Sequence, residues 1–212
     1  MPERIYNFSA GPATLPYSVL EEAAKDIVNF KDQGMGLIEM SHRSKEFIAV
    51  AEEAETLIRE LLAVPENYKV LFLQGGASSQ FYMIPMNLLG GGKKATYLNT
   101  GTWAKKSIKE AKLFGDIDVA YSSEETSFNR VPEENEYTVD RASEYLYLCS
   151  NNTIYGTQFA QFPGKGRMLV SDMSSDIFSR PLDISRFGIV FAGAQKNMGP
   201  AGVTLVIIRE DL

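Results

Sequence analysis

The chain has 212 residues, of which 44% are hydrophobic and 23% charged, a composition that suits a folded domain burying roughly 70% of its unfolded surface. Its formal net charge of −6 argues against nucleic-acid binding through net charge, and the single cysteine, Cys149, excludes an intrachain disulfide and a Cys/His zinc site. The sequence has no signal pattern and no apolar run of about 18 residues, so we expect a cytoplasmic protein with no membrane contact.

Helical and strand periods alternate along the chain, which favours an α/β layer fold with a mostly parallel sheet. Ser18 to Glu21 forms the pattern of a capping box, which predicts a first helix after Pro16, and a second helix is predicted to follow Ser44. Further predicted helices are 79–89 and 102–114, and the predicted strands are 69–73, 95–99, 117–121, 145–149, 167–170, 189–192 and 203–208. Residues 122–142 are polar and rich in turn formers, which predicts a surface stretch without chemistry.

The stretch with the clearest chemistry runs from Phe191 to Gly202, where Lys196 leaves an apolar strand and precedes a Gly-Pro turn. A lysine carried on a rigid strand end can lose its proton and form a Schiff base with a carbonyl, although a solvated turn lysine fits the pattern too. Asp172 follows another predicted strand, at the edge where open sheets collect ligands. A pyridinium cofactor needs such a carboxylate at its ring nitrogen, whereas the alternative for Asp172 is a cap or turn former.

Other polar groups follow neighbouring predicted strands. The loop 75–79 joins a strand to a helix, and its glycines and free N–H groups could hold a phosphate or could form only a tight turn. The single tryptophan, Trp103, could stack on an aromatic cofactor or be a half-buried core residue. Thr153 offers a hydroxyl, and Arg43, next to His42, suits capture of a carboxylate or phosphate, with a surface ion pair as its alternative.

Seven stretches of the chain carry a resemblance to one family. They are NFSAGPATLP, MSHRSKEF, LFLQGGASSQF, YLNTGTWAKKSIKEAK, SNNTIYGTQF, SDMSSDIFSRP and AGAQKNMGPAGVT. Together they resemble the phosphoserine aminotransferases, pyridoxal-phosphate enzymes of fold type I within the class V aminotransferase group. The resemblance implies a three-layer α/β/α fold around a mostly parallel, mixed sheet.

The resemblance also implies a set of site residues without a metal. Lys196 would bind the cofactor aldehyde and Asp172 would pair with the pyridine nitrogen, both in catalytic roles. The implied cofactor-binding residues are Gly76, Ala77, Ser78, Trp103, Thr153, Asp172, Gln195 and Lys196. The residues that resemble the family's substrate-anion contacts are Ser9, His42 and Arg43.

The reaction implied by the resemblance converts 3-phosphohydroxypyruvate and glutamate to O-phosphoserine and 2-oxoglutarate in serine biosynthesis, with a further role of some members in vitamin B6 synthesis. A homodimer is also implied. Because family members are longer, we expect an N-terminal arm at 1–16, a large cofactor domain at 17–212, and a missing small C-terminal domain that would supply an arginine for the substrate carboxylate. Many relatives carry a basic residue in the loop that begins at Gly75, at the position where this chain has Ser78.

Two alternatives to a complete aminotransferase follow from these features. The first is a non-catalytic module that binds pyridoxal phosphate or dimerises and needs a separate C-terminal piece for activity. The second is a phosphate-ester-binding domain that uses the loop 75–79 and leaves Lys196 without a role.

Overall fold

The structure is a computed structural model that describes residues 4–212, so the first three residues of the expected N-terminal arm lie outside the described residues. The helices are α1 (Tyr17–Val28), α2 (Lys45–Leu62), α3 (Gly76–Leu88) and α4 (Thr102–Ala111). The strands are β1 (Tyr68–Leu73), β2 (Lys94–Asn99), β3 (Asp116–Ser122), β4 (Ser143–Cys149), β5 (Asn151–Asn152), β6 (Thr157–Gln158), β7 (Leu169–Asp172), β8 (Phe187–Gly193) and β9 (Thr204–Arg209). Within residues 4–212, none of the helices has the length and hydropathy needed to cross a membrane.

Seven strands form one sheet in the order β1-β9-β8-β7-β4-β2-β3. Strand β9 runs antiparallel to both of its neighbours, and the other neighbouring pairs are parallel, which confirms the mostly parallel, mixed sheet. The register places Cys149 of β4 beside Asp172 of β7, and Asp172 beside Phe191 of β8. The carboxyl ends of these three strands therefore meet at one edge of the sheet.

Both faces of the sheet are covered, because alternate residues of a strand point to opposite sides. On β4, Leu146 and Leu148 belong to one hydrophobic cluster, whereas Tyr145 and Tyr147 belong to the other. Side chains of α3 and α4 complete the tyrosine cluster, and the last turns of α2 contribute to the leucine cluster. This arrangement confirms the three-layer α/β/α fold.

The helix starts show one prediction that holds and one that does not. Ser44 caps α2, since its Oγ accepts a hydrogen bond from the Phe47 N–H at 3.2 Å. The capping box at Ser18 is wrong: α1 begins at Tyr17, its N-cap is Pro16, and no side chain caps it. The proline has an extended backbone (φ −56°, ψ 140°), so the helix begins directly after it and Ser18 already lies within the first turn.

Two other helix bounds differ from the prediction, as does the polar stretch 122–142. Helix α3 begins at Gly76, three residues before the predicted Ser79, and α4 ends at Ala111 instead of continuing to Phe114.

The polar stretch is not wholly a surface feature, because three of its apolar side chains pack against the leucine cluster. These are Val131, Tyr137 and Val139.

Candidate active site

A cavity opens where the carboxyl ends of β4, β7 and β8 meet the first turn of α3, and its empty volume, including its open mouth, is about 510 Å³. Seven of the predicted site residues line it: Gly76, Ala77, Ser78, Trp103, Asp172, Gln195 and Lys196. The sequence pattern thus identified residues that the fold brings into one place from four separate segments of the chain.

Lys196 is half-buried in the turn that follows β8. Its Nζ donates a hydrogen bond to Thr153 Oγ1 at 2.5 Å and lies 5.7 Å from the centre of the Trp103 ring. The N-terminal arm crosses its aliphatic stem, since a Cβ added to Gly11 would come within 3.0 Å of Lys196 Cγ. The backbone N–H of Ala13, also in the arm, donates a hydrogen bond of 2.8 Å to the carbonyl of Gln195, the residue before Lys196. The amine is therefore held in the cavity wall instead of extending into solvent.

Asp172 is the last residue of β7 and is only 4% exposed. The sequence placed it just past the strand, but its backbone keeps strand register with Cys149 and Phe191. Its Oδ1 accepts two hydrogen bonds from Ser174, from the backbone N–H at 3.0 Å and from the hydroxyl at 2.6 Å. Burial raises the pKa of this carboxyl above its ordinary value, while the Ser174 hydrogen bonds and the charge of Lys196 oppose that rise.

The first turn of α3 forms a wall of the cavity that suits an anion. Gly75 and Gly76 have φ values of +93° and +70°, and a Cβ on Gly75 would lie 2.2 Å from Ser79 Oγ, so this tight turn requires glycine. The N–H groups in the first turn of a helix have no acceptor within the helix, and their partial positive charge favours an anion. The early start of α3 brings Ala77 and Ser78 into this turn, at the cavity.

Trp103 lies at the start of α4 and forms another part of the wall. Its indole Nε1 is buried and has no hydrogen-bond partner among the described residues. Two lysine amines lie near its ring, Lys196 at 5.7 Å and Lys106 at 4.6 Å from the centroid. The residue thus offers a ligand a flat aromatic surface, next to a buried donor that has no partner among the described residues.

Three predicted substrate contacts are not brought to the cavity. Ser9, His42 and Arg43 are exposed and do not line it, so their role in anion binding stays a prediction. Thr153 does not line the cavity either, but it contacts the site through its hydrogen bond with Lys196.

Sequence reasoning missed five residues that line the cavity: Phe81, Cys149, Asn151, Ser174 and Ser175. The Asp-x-Ser pattern could have indicated Ser174, because such a serine commonly bonds back to the aspartate. No local pattern indicates the contact between Asn151 and Ser175, which are 24 residues apart and joined by an amide–hydroxyl hydrogen bond of 2.8 Å. Burial raises the pKa of the Cys149 thiol well above its ordinary value, which fits its place at the end of the predicted strand 145–149.

The fold and the cavity define an α/β protein with a ligand site at the carboxyl edge of its parallel strands. The site combines an amine, a buried carboxylate and a helix N-terminus, which are groups that suit a phosphorylated carbonyl ligand. A family model described as "Aminotransferase class-V" matches residues 5–212. The chain belongs to this family, as its resemblance implied.

Similar proteins give the relationship in more detail. The chain is 74% identical over 212 residues to the phosphoserine aminotransferase of Desulfotalea psychrophila, an alignment that covers 100% of this chain and 59% of that protein. The solved phosphoserine aminotransferase from Bacillus circulans subsp. alkalophilus is 54% identical with a TM-score of 0.94, covering 98% of this chain and 58% of that one. A PLP-bound phosphoserine aminotransferase from Trichomonas vaginalis is 43% identical with a TM-score of 0.90, covering 98% and 59%. The chain thus spans about 59% of the length of the curated relatives that it matches.

Proposed function

We propose that the chain binds pyridoxal 5'-phosphate in this cavity as part of an enzyme that transfers an amino group between glutamate and 3-phosphohydroxypyruvate. The products would be O-phosphoserine and 2-oxoglutarate, in serine biosynthesis. The observation that carries the proposal is that Lys196 and the buried Asp172 line one cavity together with the first turn of α3. The names of the similar proteins support the choice of substrates.

The residues present fit this cofactor group by group. The Lys196 amine suits the aldehyde, the Asp172 carboxylate suits a protonated ring nitrogen, and the N–H groups at Ala77 suit the phosphate. The unpartnered indole N–H and the ring of Trp103 form a wall of the kind that an aromatic ligand covers. When bound, the cofactor supplies an electron sink for the charge left on an amino acid that loses its α-proton.

Asp172 keeps the ring nitrogen of the ligand protonated. Both hydrogen bonds from Ser174 go to Oδ1 of Asp172. None of the described residues donates to Oδ2, so Oδ2 is the oxygen left for the ligand. The burial that raises the pKa of this carboxyl also excludes water from its pairing with a cation, which strengthens that pairing. The residue thus acts through charge and position.

Lys196 moves the proton. An amine near the α-carbon of a bound amino acid can accept the α-proton and return it at another atom, which is general base and general acid catalysis by one group. Thr153 Oγ1 accepts a hydrogen bond from Nζ and so fixes the direction of the lysine, while the arm at Gly11 limits the movement of its stem. The Trp103 ring orients the ligand and excludes water on its side of the cavity.

The wider organisation is part of the same proposal. Residues 17–212 would form the large cofactor domain of a cytoplasmic homodimer, with residues 1–16 as an arm. Side chains of Leu57, Leu61 and Phe72 are 49%, 67% and 44% exposed, which suits a surface covered by another protein copy. The exposed polar groups of Ser9, His42 and Arg43 are accessible to the substrate anions that we assign to them.

A second candidate is a cofactor-binding module without transferase activity of its own. The observation that favours it is the coverage, because about 41% of the length of the similar enzymes has no counterpart in this chain. In that case the cavity would bind pyridoxal phosphate, and transfer would require another polypeptide segment.

Absorbance spectroscopy followed by a transferase assay tests both candidates. The purified chain is mixed with pyridoxal phosphate, and the visible band of lysine-bound cofactor is compared among wild type, Lys196→Ala and the control Lys109→Ala, which changes an exposed lysine of α4. We expect the band in wild type and control and its loss in Lys196→Ala. Formation of 2-oxoglutarate from glutamate and 3-phosphohydroxypyruvate would then select the enzyme, and a band without turnover would select the module. A wild-type chain that never develops the band would refute both.

A further inference from the structure

We propose that Ser174 is a positioning residue, which fixes the orientation of the Asp172 carboxylate and ties it to the strand end that leads to Lys196. The proposal rests on the proposed cofactor function. Ser174 is 7% exposed and lies in the turn that follows β7, and no role for it follows from the sequence patterns above.

The donor and acceptor next to Ser174 Oγ determine where its hydroxyl proton points. The backbone N–H of Gly193 lies 3.0 Å from Ser174 Oγ, and because an N–H can only donate, the hydroxyl oxygen must accept there. The single hydroxyl hydrogen is therefore available for Asp172 Oδ1, at 2.6 Å. The Ser174 backbone N–H adds a second bond to the same oxygen at 3.0 Å. Together these bonds restrict rotation of the carboxyl group.

The two bonds also act on the charge of the carboxylate. Hydrogen bonds donated to an ionised carboxylate favour the charged form, and they oppose the effect of burial on the pKa of Asp172. Four titratable groups face Asp172 from neighbouring segments: Tyr147 and Cys149 on β4, Asp176 after β7, and Lys196 after β8. Only Lys196 among them carries positive charge, so the hydroxyl of Ser174 is a main source of stabilisation for the anion.

The third contact of Ser174 links the two functional groups. Gly193 is the last residue of β8 and lies three positions before Lys196. The turn after β7 is also joined to β8 through the main chain, where the Met173 N–H donates to the Phe191 carbonyl at 2.8 Å. The bond at Gly193 is the nearer of these two links to Lys196, and it depends on the Ser174 side chain. Loss of the hydroxyl would leave the Gly193 N–H, which is buried, without this acceptor.

The same chain contains a matched comparison. In Asp183-Ile184-Ser185, the serine N–H and Oγ donate to Asp183 Oδ1 at 3.1 and 2.5 Å, the same pair of bonds as at Ser174. Asp183 and Ser185 are exposed, and the pair only begins a short helical turn. Burial and the bond from Gly193 are therefore what distinguish Ser174, and Ser185→Ala is a control for the local motif alone.

Cofactor binding as a function of pH tests the proposal without measuring turnover. Pyridoxal phosphate is titrated into the full chain between about pH 5 and pH 8.5, and quenching of Trp103, the single tryptophan, gives Kd. For Ser174→Ala we expect Kd to rise about tenfold at pH 7, the fold-change that corresponds to one hydrogen bond to a charged group. The acid limb of the Kd profile, which is the rise in Kd at low pH, should move to higher pH. Ser174→Thr, which keeps the hydroxyl, should return Kd to within about threefold of wild type, and Ser185→Ala should leave the profile unchanged.

The outcomes separate this inference from the proposed function. A Ser174→Ala Kd within about twofold of wild type, with an unmoved acid limb, would overturn the positioning role while cofactor binding stands. If Ser174→Ala does not fold, Ser174→Cys keeps the volume with a much weaker donor, and the same rise in Kd is expected. A wild-type chain that shows no quenching would overturn the proposed function and this inference together.

Discussion

Replacing Asp172 by asparagine should change two properties of the protein in opposite directions. The asparagine oxygen can still accept both hydrogen bonds from Ser174, so the local geometry is kept while the charge is removed. Without ligand, the variant no longer buries an anion and should be more stable at pH 7. With ligand, it lacks the charge that pairs with a protonated ring nitrogen and should bind more weakly.

The expected sizes follow from the burial of this group. Removing one partner of a buried ion pair costs roughly 3–5 kcal/mol, which corresponds to a rise in the Kd for pyridoxal phosphate of roughly 100- to 4,000-fold. The gain in stability of the ligand-free chain should be roughly 0.5–2 kcal/mol, as is common when a residue kept for function is neutralised. The sign of this gain follows from the pKa of Asp172, which burial raises in spite of the opposing hydrogen bonds.

The pH dependence gives the more decisive measurement. An aspartate whose pKa is raised in the folded state adds stability that is fully present below its ordinary pKa of 3.8 and is lost as pH rises through the folded pKa. The ligand-free wild type should therefore lose stability relative to Asp172→Asn as pH rises through that region. Urea unfolding at several pH values measures the difference, and Asp183→Asn, at the exposed matching motif, should not reproduce it. A variant that is less stable than wild type at pH 7, or a difference that does not vary with pH, would refute the reasoning.

Three further predictions concern the scaffold around the site. Ser44→Ala should lower the free energy of unfolding by about 1 kcal/mol through loss of the α2 cap, whereas Ser18→Ala should stay within about 0.5 kcal/mol; urea unfolding that ranks them the other way would contradict the helix starts. Gly75→Ala should cost roughly 1–3 kcal/mol and weaken cofactor binding, because its φ is +93° and its new Cβ would meet Ser79; an unaltered unfolding curve would count against the tight turn. Cys149 should react with a thiol reagent at least about 100-fold more slowly in the native chain than in urea, since it is buried and its pKa is raised; equal rates would disprove its burial.

The pair to which we assign catalysis, Lys196 and Asp172, could be found from the sequence because each member follows an apolar run. Lys196 and Asp172 stand at or just after strands long enough to be recognised by composition, and parallel strands end at a common edge. The prediction needed only the order of the elements and the polarity of the residues that follow them. The topology then brought both groups to one cavity.

Features that depend on short segments or distant partners were not predictable. The hairpin of β5 and β6 has two residues in each strand, too few for a period to be visible. The Ser18 pattern failed because a capping box shows which residues could cap a helix but not which residue is the last non-helical one, and that residue is Pro16. The contact of Ser174 with Gly193 joins the turn after β7 to the end of β8 through the fold, so no local spacing indicates it.

The relation between the two functional groups depends on sheet register as much as on the groups themselves. Asp172 and Phe191 are neighbours across β7 and β8, and Lys196 follows Phe191 by five residues. Every residue of β8 from Phe187 to Gly193 is buried, with β7 on one side and the antiparallel β9 on the other. A slip of one residue would exchange the β8 side chains that pack in the two hydrophobic clusters, so this packing fixes the register and with it the separation of amine and carboxylate. The strand therefore determines the site although most of its side chains lie in the core, away from the cavity.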